Sequence, residues 1–305
     1  KIPRSNQAKL FRKLLVKLLS SPVLFKSLLR IAQGVRPLLP KTLKSKVPSY
    51  RAASVSATKT RKLPRKVLVL DGCVQDALVP DINLATRKVF AKFDIACLSI
   101  KSAICCGALA FHLDEREKSK LQAKANIDAW WPEIQAGGCE AIIVNASGCG
   151  VFVKDYHQLL MDDADYREKA LRISELAKDP SEFMVDEDWG NIQLNAAKPP
   201  RKVAFHPPCS LQHGQKITGL VESILSQLNV ICLEFKDPHL CCGSAGSYSL
   251  LQPTISAELQ ARKILNLETV EPELVLTANI GCQTHLQSVA RVPVRHWLEF
   301  VSEHL

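Results

Sequence analysis

The sequence predicts an α/β fold: two similar parallel-sheet, Rossmann-like units related by internal duplication, preceded by a basic helical arm. Three observations carry this. Cysteines recur on one template, Cys73 then Cys105-Cys106-Gly107 then Cys149, and again Cys209 then Cys241-Cys242-Gly243 then Cys282, with 31 residues between the lone cysteine and the pair each time. Short apolar runs alternate with helical segments in the same order around both sets, as in parallel sheets covered on both faces. Charge is segregated. Residues 1–66 carry 18 Lys/Arg and no Asp or Glu, whereas the rest holds 22 basic and 30 acidic residues.

A chain of 305 residues, 47% hydrophobic, is long enough for two domains. The divisions expected are an arm and linker at 1–66, a first unit with a helical insertion at 67–200, and a second unit at 201–305. The mildly acidic body, with neither a basic stripe nor aromatic platforms, argues against nucleic acid as a partner.

Taken in order, residues 9–19 read as a basic amphipathic helix with Leu10, Phe11, Leu14, Leu15, Leu18 and Leu19 on one face. Ser21-Pro22 opens a second helix to Gly34 as N-cap and first helical residue. Such an arm suits attachment to an anionic membrane surface or an acidic partner, or else packing on the body. Residues 40–66, rich in Pro, Lys, Ser and Ala, read as a linker. In unit one a strand at 66–71 leads to Cys73. A helix near 81–93, a strand at 94–100, the Cys105-Cys106 loop, a helix around 114–136 and a strand at 141–145 deliver Cys149. Residues 150–200 insert, with helices expected at 150–161 and 165–178. Unit two repeats the order: a strand at 202–206 to Cys209, a helix near 217–228, a strand at 230–235 and the Cys241-Cys242 loop. A helix near 254–268 and a strand at 274–278 then reach Cys282, and Val294–His304 reads as a closing helix. The cysteines thus follow the carboxyl ends of strands, where open α/β sheets bind ligands.

Adjacent cysteines make poor disulfide partners, and a chain of this size with no signal peptide or long apolar span is not a small disulfide scaffold. Two sets of four thiolates fit a bound metal or cluster. An iron–sulfur cluster prefers thiolate ligands, and the flanking glycines leave amides free for its sulfurs. Zinc is the competitor, since four thiolates also close a structural site. His206, His239, His285 and His112 lie near the cysteines in sequence and are expected around the ligands rather than among them. Cys97, Cys139 and Cys232 read as ordinary buried cysteines. No Gly-x-Gly-x-x-Gly follows a strand, so hydride chemistry requires a partner that brings a flavin.

The duplicated Cys-x31-Cys-Cys-Gly pattern resembles the cysteine-rich CCG domain of the heterodisulfide reductases. Longer stretches, Asn126–Pro132, Ala146–Lys154, Ser210–His213, His239–Tyr248 and Thr277–Leu286, are similar to the glycolate oxidase (glycolate dehydrogenase) iron–sulfur subunit family. That resemblance implies a [4Fe–4S] cluster here and FAD in partner subunits that oxidise glycolate to glyoxylate, with D-lactate as a secondary substrate. Electrons would pass to a quinone-type acceptor, with the complex cytoplasmic and peripheral on the inner face of the cytoplasmic membrane. The family's ferredoxin-like module with its Cys-x2-Cys-x2-Cys-x3-Cys-Pro motifs is not in this sequence, which starts at Lys1 and is expected to be a fragment. The wider pattern also ends in Cys-x-x-Cys, where this chain has Ala146 and Asn279, and relatives carry a further cysteine at the place of Pro207. Two other readings stay open: a catalytic thiol/disulfide or quinone reductase, and a zinc-stabilised scaffold without redox function.

Overall fold

The computed structural model describes residues 5–40, 47, 50, 63–194 and 201–305. Most of the expected linker at 40–66 lies outside them. Among the described residues eight strands form two four-stranded sheets: β1 (Arg65–Val69), β2 (Ile95–Leu98), β3 (Cys139–Ile143) and β4 (Ala177–Lys178), then β5 (Arg201–His206), β6 (Val230–Cys232), β7 (Leu274–Thr277) and β8 (Val294–His296). Their orders, β2-β1-β3-β4 and β6-β5-β7-β8, are the same, and every pairing is parallel. The duplication of the cysteines is therefore a duplication of the fold.

Alternation along the strands decides what each face covers. Val67 and Val69 of β1 point into one core with Val203 and Phe205 of β5 and Leu274 and Leu276 of β7. That core also takes Phe90 from the helix Asp81–Ala91 and Trp297 and Phe300 from the helix Trp297–His304, so the two units share one interior. The opposite faces diverge. Leu68 and Leu70 pack with Cys106, Phe152 and Tyr156, while Ala204 and Val275 pack with Cys242, Cys282 and Leu286.

Four expectations need correction. The segment expected as a closing helix from Val294 begins as a strand: Val294 to His296 pairs with β7, and the helix starts at Trp297, capped by His296. The helix expected to 178 ends at Leu176, and Ala177-Lys178 adds an edge strand beside β3. The helix expected at 150–161 starts earlier, at Ser147, and is broken at Asp155 into Ser147–Lys154 and Tyr156–Leu159. Cys232 is exposed rather than buried, because β6 is the edge of its sheet, and Cys97 and Cys139 are half-buried.

The arm forms two helices, Asn6–Leu19 and Pro22–Val35, capped by Ser5 and Ser21. Only Val16 and Leu29 of these helices are buried, Val16 against Ala110 and Leu113. Leu10, Phe11, Leu14, Val23, Leu28 and Ile31 stay exposed. Among the described residues no helix is long and apolar enough to cross a membrane.

Candidate metal centre

All eight template cysteines lie in loops, turns or the first turn of a helix beyond the strands, and all carry free thiols. In unit one the Cys73 thiol donates to Cys105 Sγ at 3.3 Å. Cys106 interacts electrostatically with Cys105 and Cys149, although no three of the four sulfurs lie mutually within 4.8 Å. In unit two Cys209 donates to Cys241 Sγ at 3.9 Å and Cys242 to Cys282 Sγ at 3.2 Å, with Cys241 and Cys242 joined as neighbours.

The third residue of each Cys-Cys-Gly has to be glycine. Gly107 and Gly243 have φ of +96° and +89°, which side chains rarely adopt. A Cβ on Gly243 would stand 2.4 Å from the Ser256 carbonyl oxygen, and one on Gly107 would stand 3.0 Å from that of Ser119. The two serines hold the turn by the same bond: Ser119 Oγ donates to the Gly107 carbonyl at 3.0 Å and Ser256 Oγ to the Gly243 carbonyl at 2.7 Å. Two turns further along each helix a second residue grips the loop ahead of the pair. Asn126 accepts from the Ile104 amide at 2.7 Å and donates to the Cys105 carbonyl at 3.2 Å. Lys263, fully buried, donates to the carbonyls of Asp237 at 2.7 Å and Pro238 at 3.3 Å. Tyr156 donates to the Cys106 carbonyl at 2.7 Å.

Charge is concentrated on one or two sulfurs in each cluster of thiols. Donation from Cys106 and Cys73, helped by the Gly107 amide, brings the Cys105 thiol down to about 4. Donation from Cys209 and Cys242, with the Gly243 amide at 3.3 Å, brings Cys241 down to about 2. Cys282, facing Cys242, His206 and the Asn279 amide, falls to about 5. The donors Cys73, Cys106, Cys209 and Cys242 are pushed up in return. Lowered thiols of this kind are ready metal ligands.

Of the histidines expected around the ligands, His206 is the one placed against the thiols: it is fully buried, and a ring nitrogen lies within 4.8 Å of Cys242 Sγ and Cys282 Sγ. His285 stands one layer back, with Nε2 3.3 Å from the Ser256 hydroxyl. The His112 ring packs on Phe111 and Phe152, and the His239 carbonyl accepts from His213 at 3.1 Å. Sequence reading did not single out Ser119, Ser256, Lys263 or Tyr156. The signal available was the seven-residue offset shared by Ser119–Asn126 and Ser256–Lys263.

The two sets also approach each other. Ser147 Oγ and Ser210 Oγ are 2.8 Å apart, and the Ser147 amide donates to the Ala278 carbonyl at 3.2 Å. A Cβ on Gly148 would lie 3.8 Å from the Asn279 amide, which itself donates to Cys282 Sγ at 3.7 Å. The residues that replace a further cysteine, Ala146 and Asn279, thus sit in the seam between the units, Ala146 among Val79, Ile82 and Ile280.

Residues 67–154 and 203–287 each match the cysteine-rich (CCG) domain family. The chain is 42% identical over its whole length to the glycolate oxidase iron–sulfur subunit of Escherichia coli, covering 74% of that protein. It is 30% identical over 83% of its length to the probable glycolate oxidase iron–sulfur subunit of Bacillus subtilis, of which it covers 55%. Lactate utilization protein A of Shouchella clausii is 23% identical over 69% of the chain, with 85% of that protein covered. Among solved structures, a hypothetical protein from Helicobacter pylori superposes with a TM-score of 0.55 at 11% identity, over 90% of this chain and 57% of the other. That likeness is one of fold.

Proposed function

The chain belongs to the family of glycolate oxidase iron–sulfur subunits, built on two cysteine-rich CCG domains, and from that membership we propose which residues carry its electrons and between which partners. The chain is an iron–sulfur electron-transfer subunit of an oxidoreductase complex whose flavin is carried by another subunit. In our reading each set of four cysteines, Cys73, Cys105, Cys106 and Cys149, and Cys209, Cys241, Cys242 and Cys282, is a ligand set. The observation that carries it is the gathering of each template set beyond the strands of its own sheet, with thiol pairs at 3.2–3.9 Å and one or two sulfurs held toward thiolate. The donor chemistry fits an iron–sulfur cluster: sulfur ligands, largely buried, with glycine amides facing them. When bound, such a cluster takes up and releases one electron at a time. The chain's own contribution is to keep the thiols converged through Ser119, Asn126, Ser256 and Lys263, and to exclude water around Cys106, Cys242 and Cys282.

Electrons pass in this reading from the FAD-binding subunit, which oxidises glycolate to glyoxylate and D-lactate as a secondary substrate, to a quinone-type acceptor. The uncovered apolar stripe of the arm, flanked by Lys9, Lys13 and Lys17, supports attachment to the inner face of the cytoplasmic membrane. A second reading rests on the sulfur spacings. A single tetrahedral ion with metal–sulfur bonds of about 2.3 Å has sulfur–sulfur edges of about 3.8 Å; one pair in unit one and two in unit two stand at 3.2–3.9 Å, although neither full set of four thiols lies mutually within 4.8 Å. Zinc would then hold the units as a scaffold. Anaerobic reconstitution with iron, zinc and sulfide decides: iron with labile sulfide supports the electron-transfer reading, and zinc without sulfide overturns it for the set concerned.

A further inference from the structure

The two sets of thiols lie at equivalent places in equivalent sheets, yet their surroundings differ at one position that faces the sulfurs. Each lone cysteine is preceded, three residues earlier, by the residue at the end of its strand's outer face: Leu70 before Cys73 and His206 before Cys209. Leu70 packs into the apolar layer that contains Cys106. His206 points the same way in unit two, on the face that Ala204 shares with Cys242 and Cys282.

His206 is 0% exposed, and neither of its ring nitrogens has a hydrogen-bond partner of ordinary length. A neutral imidazole carries one N–H and one lone pair. The N–H can be directed at the Cys282 sulfur, but the lone pair meets no donor, and full burial denies it bulk water. Leaving such a group unpaired is costly. Apolar leucine performs the packing role in unit one without that cost, so packing does not account for the imidazole. A Lewis acid placed among the thiols would satisfy it, and His206, Cys242 and Cys282 already converge to within 4.8 Å of one another.

We propose that His206 is itself a metal ligand in unit two, so that the second centre is bound through nitrogen as well as sulfur while the first is bound through sulfur alone. This rests on the reading that the unit-two cysteines hold a metal centre. A second difference acts in the same direction: where unit one grips its Cys-Cys loop with the neutral Asn126, unit two uses the amine Lys263. Where His206 takes the place of one of the unit-two cysteines on the centre, it raises the potential of an iron–sulfur cluster, and the second centre is then the better electron acceptor of the two.

The test uses the full chain, labelled with 15N at histidine only. It is loaded anaerobically in one arm with iron and sulfide and in the other with Co2+ alone, and metal uptake is measured first. Pulsed EPR of the reduced cluster, or of the Co2+ form directly, then reads nitrogen coupled to the metal. The expected result is a strong coupling in at least one load that changes between 14N- and 15N-histidine protein. It should be lost in His206→Leu, a side chain that unit one accommodates at the same place, and also in His206→Gln, which keeps the site polar. Absence of a histidine coupling in wild-type protein that has taken up metal overturns the proposal while leaving the metal reading intact, as does a coupling that persists in either folded variant. Uptake of neither load overturns both.

Discussion

Gly243 and Gly219 share a left-handed backbone, with φ of +89° and +77°, but only Gly243 is also crowded, by the Ser256 carbonyl. Alanine at Gly219 meets nothing within 4 Å and should cost only the conformational penalty of about 1–2 kcal/mol. Gly243→Ala adds the displacement of the helix that carries Ser256 and should cost about 3 kcal/mol or more; urea unfolding of the two variants ranks them, and equal losses would contradict the close approach. Cys242→Ser should abolish dye reduction by the assembled complex if unit two carries current, while Cys232→Ser, exposed on an edge strand, should leave it unchanged. His296 supplies a pH dependence. Burial lowers it from 6.5 to about 4, while Nε2 donates to the Asn145 carbonyl of the other unit at 2.9 Å and Nδ1 accepts from Leu298. Its folded pKa lies below its unfolded one, so between those values the unfolded chain binds a proton that the folded chain refuses. Stability should therefore fall as pH drops from 6.5 toward 4, by roughly 3 kcal/mol over the full span. Thermal melts across that range should show the fall in wild type and a flatter profile in His296→Gln.

At the scale of elements, the parallel sheets and the alternation of strands and helices were legible from the repeat, and so was the placing of every template cysteine beyond a strand, whereas the order of strands within each sheet was not. The elements that escaped are those too short to show a period. Ala177-Lys178 has two residues and Val294–His296 three, and both borrow their extended form from the neighbour they pair with. The polar grips on the cysteine loops escaped for another reason. Asn126 reaches back 21 residues to Cys105 and Lys263 reaches back 26 to Asp237, distances at which no local pattern survives. Helical periodicity put Leu10, Phe11 and Leu14 on the first helix's apolar face, but these stay exposed, and the residue that is buried, Val16, lies outside the expected set. The remaining stripe yields a prediction. Full chain should sediment with vesicles containing anionic lipid and release at high salt, whereas a chain lacking residues 1–40 should stay in the supernatant; equal pelleting would remove the arm as the anchor.

For the whole molecule, the feature hidden from the sequence was the union of the two inner faces. Val67-Leu68-Val69-Leu70 is apolar at every position, so nothing in it separates the side that meets its own helices from the side that meets the other unit. Because Val69, Phe205 and Trp297 belong to one core, unfolding in urea should be a single transition, and residues 201–305 expressed alone should show no cooperative melt. Two separate transitions would mean that the units fold independently. The shared interior also makes the ancestral doubling irreversible. Each copy's greasy underside now shares its shelter from solvent with the other's, so a lineage could lose the metal chemistry of either half and still be obliged to keep its scaffold.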